Sequence, residues 1–312
     1  MPKRPSDGRV GGKRRRRRLY LVTNDGEAIY GLRKFDLPSD TPSSPDEDGH
    51  ATAQRLPRAL VRLEALASRF FAAKGNKIMV MDTIQCERIV PVFDVRTRCV
   101  ALVPRDGPRP TWPMYLPVGG KLAALDDDSS ELLRPCLGAA WRRHGEWKLP
   151  FAGRAHFDPR LDAWVGLSGD SPDTLGYLCS CDVVSVDPSS NTESPPAWKL
   201  SKEKLFCEDP GEQHVGASLV YVGVARFCLV QYFSVAEDDA AGSSVGDEPE
   251  AEEVMPPSSP RYGLRLTAFS LMYDKKGDLR SETPVTPRRV RCYQLPTPSE
   301  IHELRDPVAF WL

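Results

Sequence analysis

The chain has 312 residues, 40 % of them hydrophobic and 8 % aromatic, with 29 prolines, 23 glycines and a formal net charge of −1. This supplies a core large enough for one sizeable unit, and the density of turn-forming residues disfavours a helical protein. No run of about eighteen apolar residues occurs and no apolar segment follows the basic start, so neither a spanning helix nor export is expected, and the protein is expected in the nucleus or cytoplasm.

In chain order, "KRPSDGRVGGKRRRRR" comes first, and residues 1–18 read as a solvated basic tail. Its cations, Lys3, Arg4, Lys13, Arg14, Arg15, Arg16, Arg17 and Arg18, form the kind of cluster that serves as a nuclear import signal or contacts nucleic-acid phosphates. "GRVGGKR" is not a phosphate loop, because no Ser or Thr follows its Lys and no apolar strand precedes it. "LYLVT" and "IYGLRKFDL" flank the turn "NDGEA" and predict a hairpin, with "ALVRLEAL" as a third strand. The Ser/Pro/Asp-rich residues 37–57 between them are expected to be a disordered loop.

From Arg69 the runs "RFFAA", "KIMVMD", "RIVPVFDV" and "CVALVP" predict a four-stranded meander. A second unit starts at "PMYLPVGGKLAALDD" and ends at "WKLPF", and a third runs from "AHFD" through "AWVGLS" and "YLCSCDVVSV" to "AWKLSKE". The fourth is "SLVYV", "RFCLVQYFSV", "YGLRLTAFSLMYD" and "DLRSETPV", interrupted by the acidic residues 236–260 as a second disordered loop. The spacing falls in or just above the range of propeller repeats. Trp147 and Trp198 each begin a Trp-Lys-Leu that closes a unit, and Trp164 stands in a central strand. Phe93-Asp94, Phe157-Asp158 and Tyr273-Asp274 pair an aromatic ring with an Asp suited to cap turn amides. The apolar parity of "LRLTAFSLMYD" switches between Ala268 and Phe269, which predicts a β-bulge.

The run "VRCYQL" at residues 290–295 is expected to pair with the N-terminal strands and close a ring without free edges. The expectation is therefore an all-β fold: a β-propeller over 19–296 with four-stranded antiparallel blades, five in number, six or seven and two packed sheets being the alternatives. Residues 297–312 are expected to be a C-terminal tail with a helical turn between Ser299 and Asp306-Pro307.

The chemistry-bearing residues favour architecture over catalysis. His156 and Asp158 share a strand face, but the Asp is expected to be committed to its turn, and "GLSG" around Ser168 lacks the G-x-S-x-G of a nucleophile elbow. Cys179 and Cys181 lack the paired spacings of a zinc site, so the eight cysteines are read as buried thiols and no metal or other cofactor is expected. "HELRD" at His302 lacks a second histidine, and "DDDSSE" at Asp126 lacks a calcium-loop glycine.

The stretches "AHFDPRLDAWVGLSGD", "LGYLCSCDVV", "WKLSKEKLFCEDPGEQHVGASLVYV" and "LTAFSLMYDKKGDL" resemble a cereal-plant family known only as a domain of unknown function. The resemblance implies a divergent kelch-like propeller, similar to those joined to F-boxes, with the kelch double glycine at Gly119-Gly120 and no catalytic residues to carry over. No F-box module is expected before the first strand. The expected function is a non-enzymatic, monomeric protein-interaction module that binds an unknown protein partner and no membrane. The alternative is a nucleic-acid-associated protein that uses the Arg-rich tail.

Overall fold

In the computed structural model of the protein the described residues are 17–37, 53–83, 88–105, 113–118, 121–126, 148–169, 171–183, 195–236, 260–281, 288–296 and 306–312. Apart from two 3-10 turns, Ser68–Phe70 and Pro172–Thr174, every regular element among them is a strand. The first eight are β1 (Leu19–Gly26), β2 (Ile29–Phe35), β3 (Gln54–Arg55), β4 (Val61–Glu64), β5 (Phe71–Lys74), β6 (Lys77–Val80), β7 (Ile89–Asp94) and β8 (Val100–Pro104). Next come β9 (Pro113–Val118), β10 (Lys121–Asp126), β11 (Phe151–Asp158), β12 (Ala163–Ser168), β13 (Tyr177–Asp182) and β14 (Trp198–Lys204). The chain ends with β15 (Glu212–Gly223), β16 (Arg226–Val235), β17 (Arg261–Ser270), β18 (Met272–Tyr273), β19 (Leu279–Arg280), β20 (Arg289–Gln294) and β21 (Val308–Trp311).

These strands form five sheets, ordered β21-β1-β2-β4, β5-β6-β7-β8, β9-β10, β11-β12-β13-β14-β19-β18 and β15-β16-β17-β20-β3. Pairing is antiparallel except at the two-residue strands β19 and β3, which join β14 and β20 in parallel. The expected meander from Phe71 to Pro104 is present as β5 to β8, and the hairpin at residues 24–29 turns on positive φ at Gly26 and Ala28. In the other turns Asp94, Asp158 and Asp274 each accept two backbone amides on Oδ1.

Each central sheet is buried on both faces, which explains why its strands read as continuous apolar runs instead of alternating ones. Along β16, Phe227 and Leu229 enter a core shared with β12 and β13, while Cys228 and Val230 enter one shared with β1 and β17. Along β1, Leu19 and Leu21 face that second core, whereas Tyr20 and Val22 face a third core with Phe71, Ile78 and Phe93 of the meander. Three cores thus lie between four successive sheets. Each fully buried Leu or Phe in them contributes roughly 1.5–3 kcal/mol.

Several expectations are corrected. The partner of β1 is β21, with Leu19 opposite Trp311 and Val22 opposite Val308, so the C-terminal residues are a strand and no free tail at 308–311. Val290 to Leu295 instead supplies β20, which pairs with β17. "DLRSETPV" therefore does not complete the fourth unit; its Leu279 and Arg280 join β14 and β18. β17 runs in unbroken register against β16 from Arg261 to Ser270, without a bulge at Ala268. Leu264 and Leu266 face one core and Phe269 the other, so the parity switch needs no irregularity. Gln54 and Arg55, expected in a disordered loop, pair with β20, and Leu37 and Leu56 at the ends of that loop pack against the core shared by β1 and β17; residues 38–52, 237–259 and 297–305 lie outside the described residues. Cys179, Cys181, Cys228 and Cys292 are buried, but Cys99 and Cys207 are exposed because each stands in a turn or loop after a strand.

Candidate functional site

One edge strand from each sheet, β21, β5, β9, β11 and β15, contributes to the wall of a cavity of about 730 Å3. Ala309, Phe310, Trp311 and Leu312 line it from the C-terminal strand and its end, Ala73 from β5, Tyr115 from β9, and Leu219, Val220 and Tyr221 from β15. β11 supplies the largest share, Phe151 and Gly153 to Phe157. Gly153 adopts φ +73°, and the kink interrupts the β11–β12 register between Ala152 and His156. Trp164 of β12 and Arg17 reach the rim.

Three polar groups give the wall its character. Arg154 donates from Nη2 to the Tyr115 carbonyl at 2.7 Å; solvent reaches it through the cavity, yet surrounding protein desolvates it and lowers its pKa from the ordinary value. His156 Nε2 lies 2.9 Å from the Leu219 carbonyl, and since a carbonyl only accepts, that nitrogen carries the proton. Burial lowers the His156 pKa, outweighing the carbonyl, and the ring stacks on Tyr221 at 6.2 Å between centroids. Burial raises the Tyr221 pKa, with the Asp158 carboxylate adding to it.

The constellation suits non-covalent binding better than proton transfer. His156 has committed its proton to backbone, and fully buried Asp158 engages the amides of Arg160, Leu161 and Ala225. No base stands next to a nucleophile on the described wall.

A family model described as "Protein of unknown function (DUF1668)" matches residues 16–135 and 137–293. The chain belongs to the DUF1668 family. No curated protein matches it, and no solved structure does. All five sheets of this DUF1668 chain contain matched residues, and β21, the strand on the N-terminal edge, lies beyond the match.

The residues singled out in the DUF1668 sequence are distributed as follows. Phe157 lies opposite Trp164, Trp164 opposite Cys181, and Cys181 opposite Trp198, so three rings share one face of the fourth sheet in a row that starts at the cavity. Each ring is 40 % exposed, with Phe157 and Trp164 in contact at 5.8 Å, whereas Phe93 is buried and Trp147 lies outside the described residues. Tyr273 donates its hydroxyl to Ser180 across to β13, and Lys199 stands over its ring. Among the described residues no three His, Cys, Asp or Glu side chains converge as a metal site. Opposite Val165, His156 faces away from Cys179 and Cys181, which face with Trp164.

Of the basic tail, Arg17 lines the cavity and Arg18 forms an ion pair with Asp36 at 2.7 Å; Lys3, Arg4, Lys13, Arg14, Arg15 and Arg16 lie outside the described residues, as do His302 and Gly119-Gly120. Among the described residues no helix is long and apolar enough to cross a membrane. Arg154, Tyr221 and Trp311 were not legible as site residues. The available signal was "FAGRAHFD", where one arginine interrupts small and aromatic residues in a strand.

Proposed function

We propose that this DUF1668 protein is a five-bladed, kelch-like β-propeller that acts as a non-enzymatic protein-interaction module in the nucleus or cytoplasm. The observation that carries the proposal is the cavity wall: one edge strand from each of five sheets contributes to it, as the innermost strands of five blades around an axis would. The first sheet draws strands from both ends of the chain, which suits a ring with no sheet left open.

The outer strand of the second sheet supports the binding role. All five residues of β8 are exposed, including Val100, Leu102 and Val103, and Leu102 is 67 % exposed. An apolar strand edge left unpaired among the described residues is a template for an extended segment of a partner chain, which would gain ladder hydrogen bonds from the backbone and specificity from alternate side chains. Pro104 limits the ladder at its end.

The test is capture from nuclear and cytoplasmic extracts, followed by binding of the purified partner to the full chain. Substitution of Leu102→Glu is expected to weaken that complex at least tenfold without changing the melting temperature, because the residue contacts solvent. Deletion of residues 1–16 is expected to leave it intact, and 0.5 M salt to weaken it little. A complex that disappears with the tail and falls linearly in log salt, while Leu102→Glu leaves it unchanged, would replace this function with nucleic-acid association.

A further inference from the structure

We propose that the axial cavity is a binding site for a small organic carboxylate, an acid carried on an aromatic or otherwise apolar body, with Arg154 as the anion anchor. The inference is separate from partner docking at the perimeter and stands on the cavity alone. Its volume of about 730 Å3 lies within the 300–1,000 Å3 typical of ligand pockets. Its wall is chiefly aromatic and aliphatic, with Phe157, Trp164, Tyr221 and Trp311 presenting ring surface and Leu149 and Leu219 filling between them.

Into this apolar wall the fold places a guanidinium. No Asp or Glu side chain lines the cavity among the described residues, and Arg154 makes no ion pair with any described carboxylate. A guanidinium carries five N–H donors, and Arg154, a residue of the cavity wall, spends one of them on the Tyr115 carbonyl. A carboxylate on an apolar body pairs with this cation through charge-assisted hydrogen bonds while its body covers the rings, and so satisfies both parts of the wall. Desolvation by the surrounding protein lowers the Arg154 pKa, and a bound carboxylate would raise it again. His156 completes the orientation: its proton is held by Leu219 O and its ring stacks on Tyr221, so it supplies a flat neutral surface beside the cation. Arg17 adds positive charge at the rim.

An inorganic phosphate would satisfy the guanidinium but leave the rings unfilled, and a neutral aromatic amide the reverse. The probe is therefore naphthalene-1-carboxylate, titrated calorimetrically into the full chain beside naphthalene-1-carboxamide and inorganic phosphate. The carboxylate is expected to bind with a Kd of about 0.1–1 mM, as a ligand of its size allows. The amide and phosphate are expected to bind at least tenfold more weakly. Arg154→Gln is expected to weaken the carboxylate about 10- to 100-fold, the range for a lost charge-assisted hydrogen bond, and to leave the amide unchanged.

As a readout that does not depend on the folding of that variant, the carboxylate is expected to change tryptophan emission, and Trp311→Phe to reduce that change. Equal affinity for acid and amide, phosphate binding as tight as the carboxylate, undiminished binding in a folded Arg154→Gln variant, or an emission change unaltered by both Trp311→Phe and Trp164→Phe would each overturn the proposal. None of these outcomes bears on the complex formed at Leu102.

Discussion

Asp158 has no exposed surface, and its two oxygens face backbone amides from two different sheets. Oδ1 accepts from Arg160 and Leu161 in its own turn, and Oδ2 accepts from Ala225, which stands at φ 53° in the β15–β16 turn. The side chain therefore shapes one turn and fastens it to the next sheet. Substitution of Asp158→Ala leaves the buried amides of Leu161 and Ala225 without acceptors and is expected to cost about 2–5 kcal/mol. Asp158→Asn, which retains one carbonyl oxygen, is expected to cost about half as much. Urea unfolding followed by tryptophan fluorescence measures both, with the midpoint falling and the slope unchanged. The turn bonds were legible because an Asp followed two and three residues later by free amides is a local pattern. The bond to Ala225 spans 67 residues and has no local signal. Arg154 escaped for the same reason, since its carbonyl partner belongs to another sheet.

At the scale of elements, two-sided burial governs the strands. β17 illustrates this: Leu264 and Leu266 face the core shared with β1, Phe269 faces the core shared with β12, and Arg265 on the latter face is neutralised by Glu212 at 2.6 and 2.8 Å. Arg265 also stands over the Phe233 ring, 4.5 Å from its centroid. That ring crosses above Gly263, its cross-strand partner, and a Cβ built on Gly263 would lie 2.3 Å from it. Gly263→Ala is expected to destabilise the protein by about 1–3 kcal/mol, because the ring must move and takes the Arg265 stack with it. The double variant Gly263→Ala with Phe233→Leu is expected to recover part of that loss, and thermal melts of the set check the coupling. Strand positions were largely legible, since apolar runs and turn residues mark them. The bulge expected at Ala268 was not there, because alternation is diagnostic only when one face meets water. Strand order failed where two-residue strands such as β3 and β19 carry too few residues to register as a pattern.

At the scale of the molecule, the ends of the described chain meet, but through a different segment from the expected one. "VRCYQL" is the longer run, and Asp306-Pro307, directly before "VAFW", reads as the end of a helical turn. In the structure that dipeptide leads into β21 and binds it to the fifth sheet: Asp306 accepts the Ala217 amide at 3.1 Å, and Ser218 donates its hydroxyl to the Pro307 carbonyl. β21 then pairs with β1, Arg18 and Leu312 exchange backbone bonds, and Phe310 packs into the core with Tyr20 and Phe71.

Removal of residues 306–312 therefore strips an edge strand from the first sheet, a tie from the fifth and one wall from the cavity. Loss of the buried Phe310 side chain alone is worth about 3–5 kcal/mol. In a unit of this size each kcal/mol corresponds to a fall of about 2–4 °C in Tm, so the truncated chain is expected to melt roughly 10 °C or more below the full chain. It is also expected to self-associate, because β1 then presents an unpaired apolar edge. Phe310→Ala separates the two effects: it empties the core position but keeps the ladder, so it is expected to lower the Tm and leave the elution volume unchanged. Scanning calorimetry and size-exclusion chromatography of the three proteins read these outcomes. A truncated chain that melts and elutes with the full chain would show that β21 is dispensable, and the proposed closure of the five sheets through it would fall.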